Sequence, residues 1–489
     1  MGRLVSQGPG RVVMSRYSVT TSIPYVNGKP HIGHALELVQ VDVLARHRRQ
    51  RGDEVRAQTG TDDNALKNVR SAEAEGVSPS VYVAKVAERF VGLGAALETR
   101  FDDFVRTSAD PRHAAGVRAL WEACAGDFYR RGYTGLYCVG CEVFYSPGEL
   151  VDGRCPEHGT VPETVEEDNW FFRLSRYQER LERIVADDVV RIEPLSRKRE
   201  VLAFLRSGLE DFSVSRSVER ARGWGIPVPG DPGQVVYVWF DALANYLTGP
   251  GYGTDDAGFR RWWEECPERV HVIGKGIIRF HAVYWLAMLL SAGLALPTTI
   301  FVHEYLTAGG RKISKSAGDA EDPVDVVARY GSDAVRWWLL SEVARAGDTD
   351  FTVERLVARA NEDLANNIGN LVNRTVSMIA RFGPAEGDDP GATALRLARA
   401  EAAGMIDRAL AGFDFRRAVE AVTRIGDEAN RYVEAAKPWV GKDRAVLGEL
   451  LATCRDLAEH LTPFLPSAAA RIVAQCDGSA IAPVFPRLG

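Results

Sequence analysis

The run Ser22-Ile23-Pro24-Tyr25-Val26-Asn27-Gly28-Lys29-Pro30-His31-Ile32-Gly33-His34 sets two imidazoles three positions apart. At the first turn of a helix, ring N–H donors join free backbone N–H groups and the positive end of the dipole, a combination that suits phosphate oxygens. Gly33 has no side chain, so a flat ring can lie close to the backbone. A second basic element, Lys312-Ile313-Ser314-Lys315-Ser316, follows Ala308-Gly309-Gly310-Arg311, which puts Lys312 and Lys315 on a glycine-rich loop. A third constellation is Cys138-Val139-Gly140-Cys141 with Cys155-Pro156-Glu157-His158. Two ligand pairs, each spaced three apart, predict a tetrahedral zinc site on Cys138, Cys141, Cys155 and His158. Four protein ligands leave no open position, so the ion is expected to be structural.

These groups need rigid elements to hold them. Tyr17-Ser18-Val19-Thr20-Thr21 is β-branched and aromatic, a strand ended by Pro24 and the Asn27-Gly28 turn. Leu36, Val39, Val43 and Leu44 recur at helical spacing up to Gly52, so the histidines fall where a strand hands over to a helix. Val55–Thr59 is a second strand, running into Gly60-Thr61-Asp62-Asp63-Asn64, where acidic residues meet ligands in parallel sheets. The continuous apolar run Val235–Phe240 reads as a strand buried on both faces, leading into Asp241-Ala242. Val270–Ile273, ending in Gly274-Lys275-Gly276, and Ile300–Val302 complete the strand candidates, with a helix from Ile277.

The predicted fold is therefore α/β: a Rossmann-like parallel-sheet domain carrying a zinc-bearing insertion, followed by an all-α bundle. The expected boundaries are 11–115 and 226–325 for the two halves of the sheet, 116–225 for the insertion, 326–355 for a linker and 356–489 for the bundle. Within the bundle, Leu364–Ile379 and Ala398–Leu410 are amphipathic, Gly383–Gly391 is a loop, and Pro438-Trp439 interrupts the pattern. Residues 1–10 read as a disordered leader. With no further module before Gly489, a monomer is expected.

Composition narrows the class. The 489 residues are 46% hydrophobic and 26% charged, without an apolar run of membrane-spanning length or a secretory signal. Seven cysteines, an odd number in a long chain, point to a reducing cytoplasm; Cys124, Cys266, Cys454 and Cys476 read as buried hydrophobes. A net charge of −6 does not by itself mark a nucleic-acid binder, so such a partner would need local patches. Candidates are Arg46, Arg48, Arg49 and Arg51, then Arg197-Lys198-Arg199, then Arg216, Arg220 and Arg222.

The two signatures His31-Ile32-Gly33-His34 and Lys312-Ile313-Ser314-Lys315-Ser316 resemble those of class I aminoacyl-tRNA synthetases. The zinc insertion, Trp224-Gly225-Ile226-Pro227, Tyr237–Ala242, Ile278-Arg279-Phe280-His281, Asn373 and Lys437-Pro438-Trp439 extend the resemblance to the methionyl branch over nearly the whole chain. The resemblance implies activation of L-methionine with Mg-ATP, release of pyrophosphate, and transfer of methionine to the 3′-terminal adenosine of tRNA(Met). It implies phosphate handling by His31, His34, Lys312 and Lys315, and ATP contacts that also include Asn27, Gly33, Glu37, Gly274, Gly276 and Ser314. It implies a methionine pocket of Ile23, Tyr25, Asp62, Trp239, Ala242, Tyr246, Ile277 and His281, with Asp62 on the ammonium. Asn373 and Trp439 would read the anticodon. The sequence departs from the family at Asn64, Ala65, Leu243, Gly276 and Glu304; Gly276 replaces an aspartate that contacts the ATP ribose. Three other readings are a divergent, inhibitor-resistant second copy, a synthetase-derived regulatory protein that binds tRNA without charging it, and a small-molecule nucleotidyltransferase. Intact His31, His34, Lys312, Lys315 and Asp62 disfavour the second; the zinc insertion, lysine loop and helical domain disfavour the third.

Overall fold

The computed structural model describes residues 15–145, 147–157, 159–312, 321–384, 387, 389–478 and 482–489. The proposed leader, His158, Ser314 and Lys315 lie outside them, as does part of the Gly383–Gly391 loop. Six parallel strands form the central sheet: β1 (Arg16–Thr21), β2 (Glu54–Thr61), β3 (Asp103–Arg106), β4 (Arg191–Glu193), β5 (Glu268–Gly274) and β6 (Thr299–His303), in the order β3-β2-β1-β5-β6-β4. The chain runs outward from β1 through β2 to β3 on one side, crosses to the edge strand β4 on the other, and then fills the gap with β5 beside β1 and β6 beside β4. The switch point therefore lies between β1 and β5, and ligands of open parallel sheets settle outside the strand ends at that point.

The alternation of side chains across the sheet separates two cores. Tyr17, Val19, Val270, Val272 and Phe301 face helix α1 (Ile32–Gln50) and the helical C-terminal part. Ile273, Ile300 and Val302 face the opposite core, built around Trp263, Trp285 and Phe240.

Arg191–Glu193 was expected within a separate insertion, 116–225, but is the edge strand of the main sheet, paired parallel with β6. What stands apart is a four-stranded antiparallel sheet of Val143–Tyr145, Phe128–Cys138, Glu163–Phe172 and Phe212–Ser213. The apolar run Val235–Phe240 is also not one strand. Asp231–Val236 pairs antiparallel with Ser215–Ser217, and a helix of Val238–Leu243 follows. An unbroken apolar stretch has no periodicity to separate a buried strand from a buried helix. The expected linker 326–355 contains the helix Ser332–Ser341, whose Trp337 and Trp338 are fully buried.

From Val353 onward the described residues are helical apart from short connections: Val353–Arg359 continuing to Phe382, Thr393–Ala411, Phe415–Ala436, Arg444–Leu461 and Pro466–Cys476. Cys124, Cys266, Cys454 and Cys476 are buried, as the sequence predicts. A buried arginine joins this bundle to the parallel-sheet domain. The Arg336 guanidinium donates to Asp42 Oδ2 (2.7 Å) on α1 and to the carbonyls of Leu97 (3.0 Å) and Phe464 (2.6 Å). Asp42 Oδ2 also accepts from Arg46 Nε (2.8 Å), and its Oδ1 from the Arg100 amide (2.8 Å).

Candidate active site

Helix α1 starts at the carboxyl end of β1, beside the switch point, with His31 as its extended N-cap (φ −128°, ψ 170°). The His31 and His34 rings stack, 3.7 Å between centroids and 25° between planes. The His31 amide donates to His34 Nδ1 (3.0 Å), so the neutral His34 ring carries its proton on Nε2. Gly33 makes the stack possible: a Cβ there would lie 3.0 Å from His31 Cε1.

Glu37, expected at ATP, braces the crevice. Its Oε1 accepts from the Ser22 amide (2.5 Å) and hydroxyl (2.7 Å), and its Oε2 faces His303 Nε2 at 2.8 Å, so both oxygens are engaged inside the protein. The brace ties the loop after β1 to the end of β6. Asn27 lies in the turn before α1, where its carbonyl accepts from the Ser71 hydroxyl (3.4 Å).

Across the switch point β5 ends at Gly274, and Gly276 is exposed. Glu304, in place of a family glycine, is buried and takes Arg197 through both oxygens (3.2 and 2.5 Å) and Lys275 at 3.4 Å.

The expected amino-acid pocket assembles between these walls. Tyr25 and Trp239 meet edge to face at 6.1 Å, and Trp239 stacks on Phe280 at 3.5 Å. His281 Nδ1–H donates to the Ile277 carbonyl (2.9 Å), which leaves Nε2 to accept from the Tyr246 hydroxyl (2.7 Å). Burial brings the His281 pKa down to about 4, so this wall is neutral at physiological pH. Ile23 and Ile277 are half-buried and Ala242 is buried. Asp62 is buried, and burial, reinforced by Asp241, pushes its carboxyl well above the ordinary carboxylate range; Lys67 opposes the shift. Asp63 is not a ligand candidate: Arg106 (3.0 Å), Ser108 (2.6 Å) and Thr61 (2.8 Å) consume its oxygens.

The departure at Asn64 has a local explanation. Its amide donates to Asp241 Oδ2 (2.6 Å), while Asp241 Oδ1 faces His113 Nε2 at 2.5 Å. Lys67 was not anticipated: its ammonium lies 3.2 Å from the Tyr25 ring centroid and donates to the Gly140 carbonyl (3.0 Å). Desolvation brings its pKa down to about 8. No spacing rule signals a lysine held by a ring and a carbonyl far away in sequence.

The knuckle reaches the same pocket. The Sγ atoms of Cys138, Cys141 and Cys155 lie within 4.8 Å of one another, with Cys141 and Cys155 at 3.3 Å. A zinc–thiolate tetrahedron of about 2.3 Å bonds needs sulfurs about 3.8 Å apart, so the cluster suits that ion. The hydrogen bond with Cys138 and then burial push the Cys141 thiol well up. The Cys141 carbonyl accepts from Trp239 Nε1 (3.4 Å). Glu142 is buried beside it, bonded to Tyr137, Arg216 (3.2 Å) and the Lys67 amide (3.2 Å), so the basic candidate Arg216 serves the interior.

The lysine loop leaves through a hairpin of Leu306–Ala308 and Arg311–Lys312. Gly309 and Gly310 both have positive φ (58° and 72°), as a tight hairpin turn demands. In the helical part, Trp439 is 41% exposed with the Arg374 guanidinium 5.5 Å from its ring centroid, and Asn373 is half-buried on the adjacent helix. Trp439 is thus not a core residue.

A histidine-capped helix at the switch point, with a hairpin after β6 leading into the lysine segment, fits the class I aminoacyl-tRNA synthetases, and the comparisons with known proteins agree. The family model described as tRNA synthetases class I (M) matches residues 17–161 and 145–376. The chain is 40% identical over 481 residues to the methionine–tRNA ligase of Brucella suis, covering 94% of this chain and 91% of that one. It is 40% identical over 484 residues to that of Mycobacterium bovis, covering 94% and 92%. The solved structure of Mycobacterium tuberculosis methionyl-tRNA synthetase in complex with methionyl-adenylate superposes with a TM-score of 0.89 at 37% identity, covering 97% of this chain and all of that one. The chain belongs to the methionyl-tRNA synthetases.

Proposed function

We propose that the protein activates L-methionine with Mg-ATP to methionyl-adenylate and pyrophosphate, then transfers the methionyl group to the 3′-terminal adenosine of tRNA(Met). The observation that carries this reading is Asp62: a buried carboxylate at the edge of an aromatic pocket, opening beside a helix start made for phosphates. The carboxylate takes the amino acid's ammonium, and the rings of Tyr25 and Trp239 take the thioether. The methionine carboxylate attacks the α-phosphorus. His31 and His34 hold the phosphates as it becomes five-coordinate, and Lys312 and Lys315 neutralise the departing pyrophosphate; no covalent enzyme intermediate is needed. In the second step the ribose hydroxyl of the tRNA attacks the acyl carbon.

Zinc on Cys138, Cys141, Cys155 and His158 holds the knuckle whose backbone carbonyls at Gly140 and Cys141 fix Lys67 and Trp239. Asn373 and Trp439 read the anticodon. The enzyme acts as a cytoplasmic monomer; among the described residues no helix is long and apolar enough to cross a membrane. Amino-acid-dependent ATP–pyrophosphate exchange over all twenty amino acids, followed by aminoacylation of tRNA(Met), tests the reading. Exchange with methionine alone is expected; exchange that ignores methionine refutes it.

A further inference from the structure

Lys67 carries a charge beside the methionine pocket to which the reaction above gives no task. It lies in the first turn of the helix Leu66–Ala74, just after the run Asp62-Asp63-Asn64. The knuckle holds it at both ends: its amide donates to Glu142 Oε1 (3.2 Å) and its ammonium to the Gly140 carbonyl (3.0 Å). Its Nζ also sits 3.2 Å from the Tyr25 ring centroid, where the face of the ring attracts a cation.

Tyr25 and Asp62 are backbone neighbours. They form an isolated parallel bridge, and the Asp62 amide donates to the Pro24 carbonyl (2.9 Å). The ammonium on the Tyr25 ring therefore stands in the corner of the pocket where Asp62 lies. It is tied to Gly140 and to the ring, and so does not consume the Asp62 oxygens, of which Oδ1 accepts from the Asn64 amide (3.2 Å).

Asp62 needs such a charge. It is buried, and Asp241, Asp63 and Glu142 face it with the same sign; burial and these neighbours push its carboxyl well above the ordinary range, and Lys67 opposes them. The neighbours have partners of their own: Asp63 has Arg106 (3.0 Å), Glu142 has Arg216 (3.2 Å) and Asp241 faces His113. A cation held close by, but bonded elsewhere, favours an ionised carboxyl without taking the place of an incoming ammonium.

We propose that Lys67 is a positioning residue for methionine: clipped to the knuckle at Gly140 and seated on the Tyr25 ring, it keeps Asp62 in the charged form that receives the amino acid's ammonium. The proposal rests on the activation reaction above and gives Lys67 no contact with the reacting atoms.

The test is methionine-dependent ATP–pyrophosphate exchange across a range of pH for the unaltered protein and three variants. Lys67→Arg keeps the charge and can both donate and stack; Lys67→Gln keeps a donor for Gly140 without the charge; Lys67→Met keeps only the length. Near neutral pH the last two should raise KM for methionine about tenfold, the lower end of what an opposite charge does to a neighbouring carboxyl. KM for ATP and kcat should stay within twofold. The climb in methionine KM as pH falls should begin at higher pH in both, because without the cation the Asp62 carboxyl rises further. Lys67→Arg should behave as the unaltered protein. Metal content and thermal midpoint are measured alongside, and a variant that loses metal or melts lower is read by its pH profile, since general loosening raises KM alike at every pH. Lys67→Gln with an unchanged pH profile, or Lys67→Arg no better than Lys67→Met, overturns the proposal while leaving the activity intact. Absence of exchange in the unaltered protein overturns the activity, and the proposal with it.

Discussion

Replacing Asp62 by asparagine separates what the buried carboxylate costs from what it does. In the free protein Asp62 is buried, its carboxyl is pushed well above its ordinary value of 3.8, and Asp241 adds repulsion. A carboxyl raised in the folded state contributes stability below its ordinary pKa and loses it as pH rises through the raised value. Whenever it is ionised the group is therefore a burden on the free protein, one that the substrate ammonium of the proposed reaction would relieve. Asp62→Asn keeps the size and an acceptor oxygen, so the Asn64 amide, 3.2 Å from Oδ1, retains its partner. The ligand-free variant should melt at the same temperature as the unaltered protein or higher. Methionine, in contrast, loses a hydrogen bond between charges worth ~1.5–3 kcal/mol, so its KM in exchange should rise about 13- to 160-fold. KM for methionine in the unaltered protein should climb as pH falls through the raised Asp62 value, and the variant should not follow that trend. A variant that keeps KM within twofold, or that melts several degrees lower, would refute the assignment of Asp62 to the ammonium.

Three further outcomes are expected. Lys315→Ala should slow adenylate formation about a hundredfold, the ~3 kcal/mol of one charged contact in a dry site, with methionine binding unchanged in equilibrium titration; normal exchange rates would remove it from the mechanism. Metal analysis should find about one zinc per chain, the one-site reading of the knuckle, and Cys138→Ala with Cys155→Ala should abolish it; retained zinc would place the ion elsewhere. Trp439→Ala should lower aminoacylation through loss of one stacked base, ~1–3 kcal/mol, while exchange and thermal midpoint hold, because the ring is 41% exposed; a fall in stability would make it a packing residue.

Local patterns made much of the fold legible. A β-branched strand, a Pro and Asn-Gly turn and a 3.6-residue apolar repeat locate β1, the crevice and α1. The thiol spacing locates the knuckle. What the sequence hid is long-range. The edge strand Arg191–Glu193 has too few residues for any periodicity, and its place in the sheet depends on pairing with β6, more than a hundred residues later. Val235–Phe240 is apolar throughout, so nothing in its pattern marks where the strand gives way to a helix. Glu37 sits one turn after the histidines, where sequence alone suggests a nucleotide contact; only His303, arriving from β6, turns it into a brace. Lys67 carries no motif because its ring and carbonyl partners come from other elements.

Helix α1 begins with the two histidines and ends inside the helical domain. Its 19 residues span about 28 Å at 1.5 Å per residue. At its far end His47 and Arg51 both meet Asp407 at 2.8 Å, and Gln50 donates to the Glu459 carbonyl (2.9 Å). Its side chains Val39 and Val43 share one continuous core with Leu461 and Phe464. The histidine end and the helical bundle are thus tied to two ends of the same rod, and the two halves of the chain are not interchangeable parts. A catalytic half cut away before Val353 would leave a flank of α1 bare to water, and a one-residue deletion within the helix would turn the histidines by roughly 100° relative to the bundle. The length of this helix works as a ruler, fixing how far the histidines stand from the bundle that holds its other end.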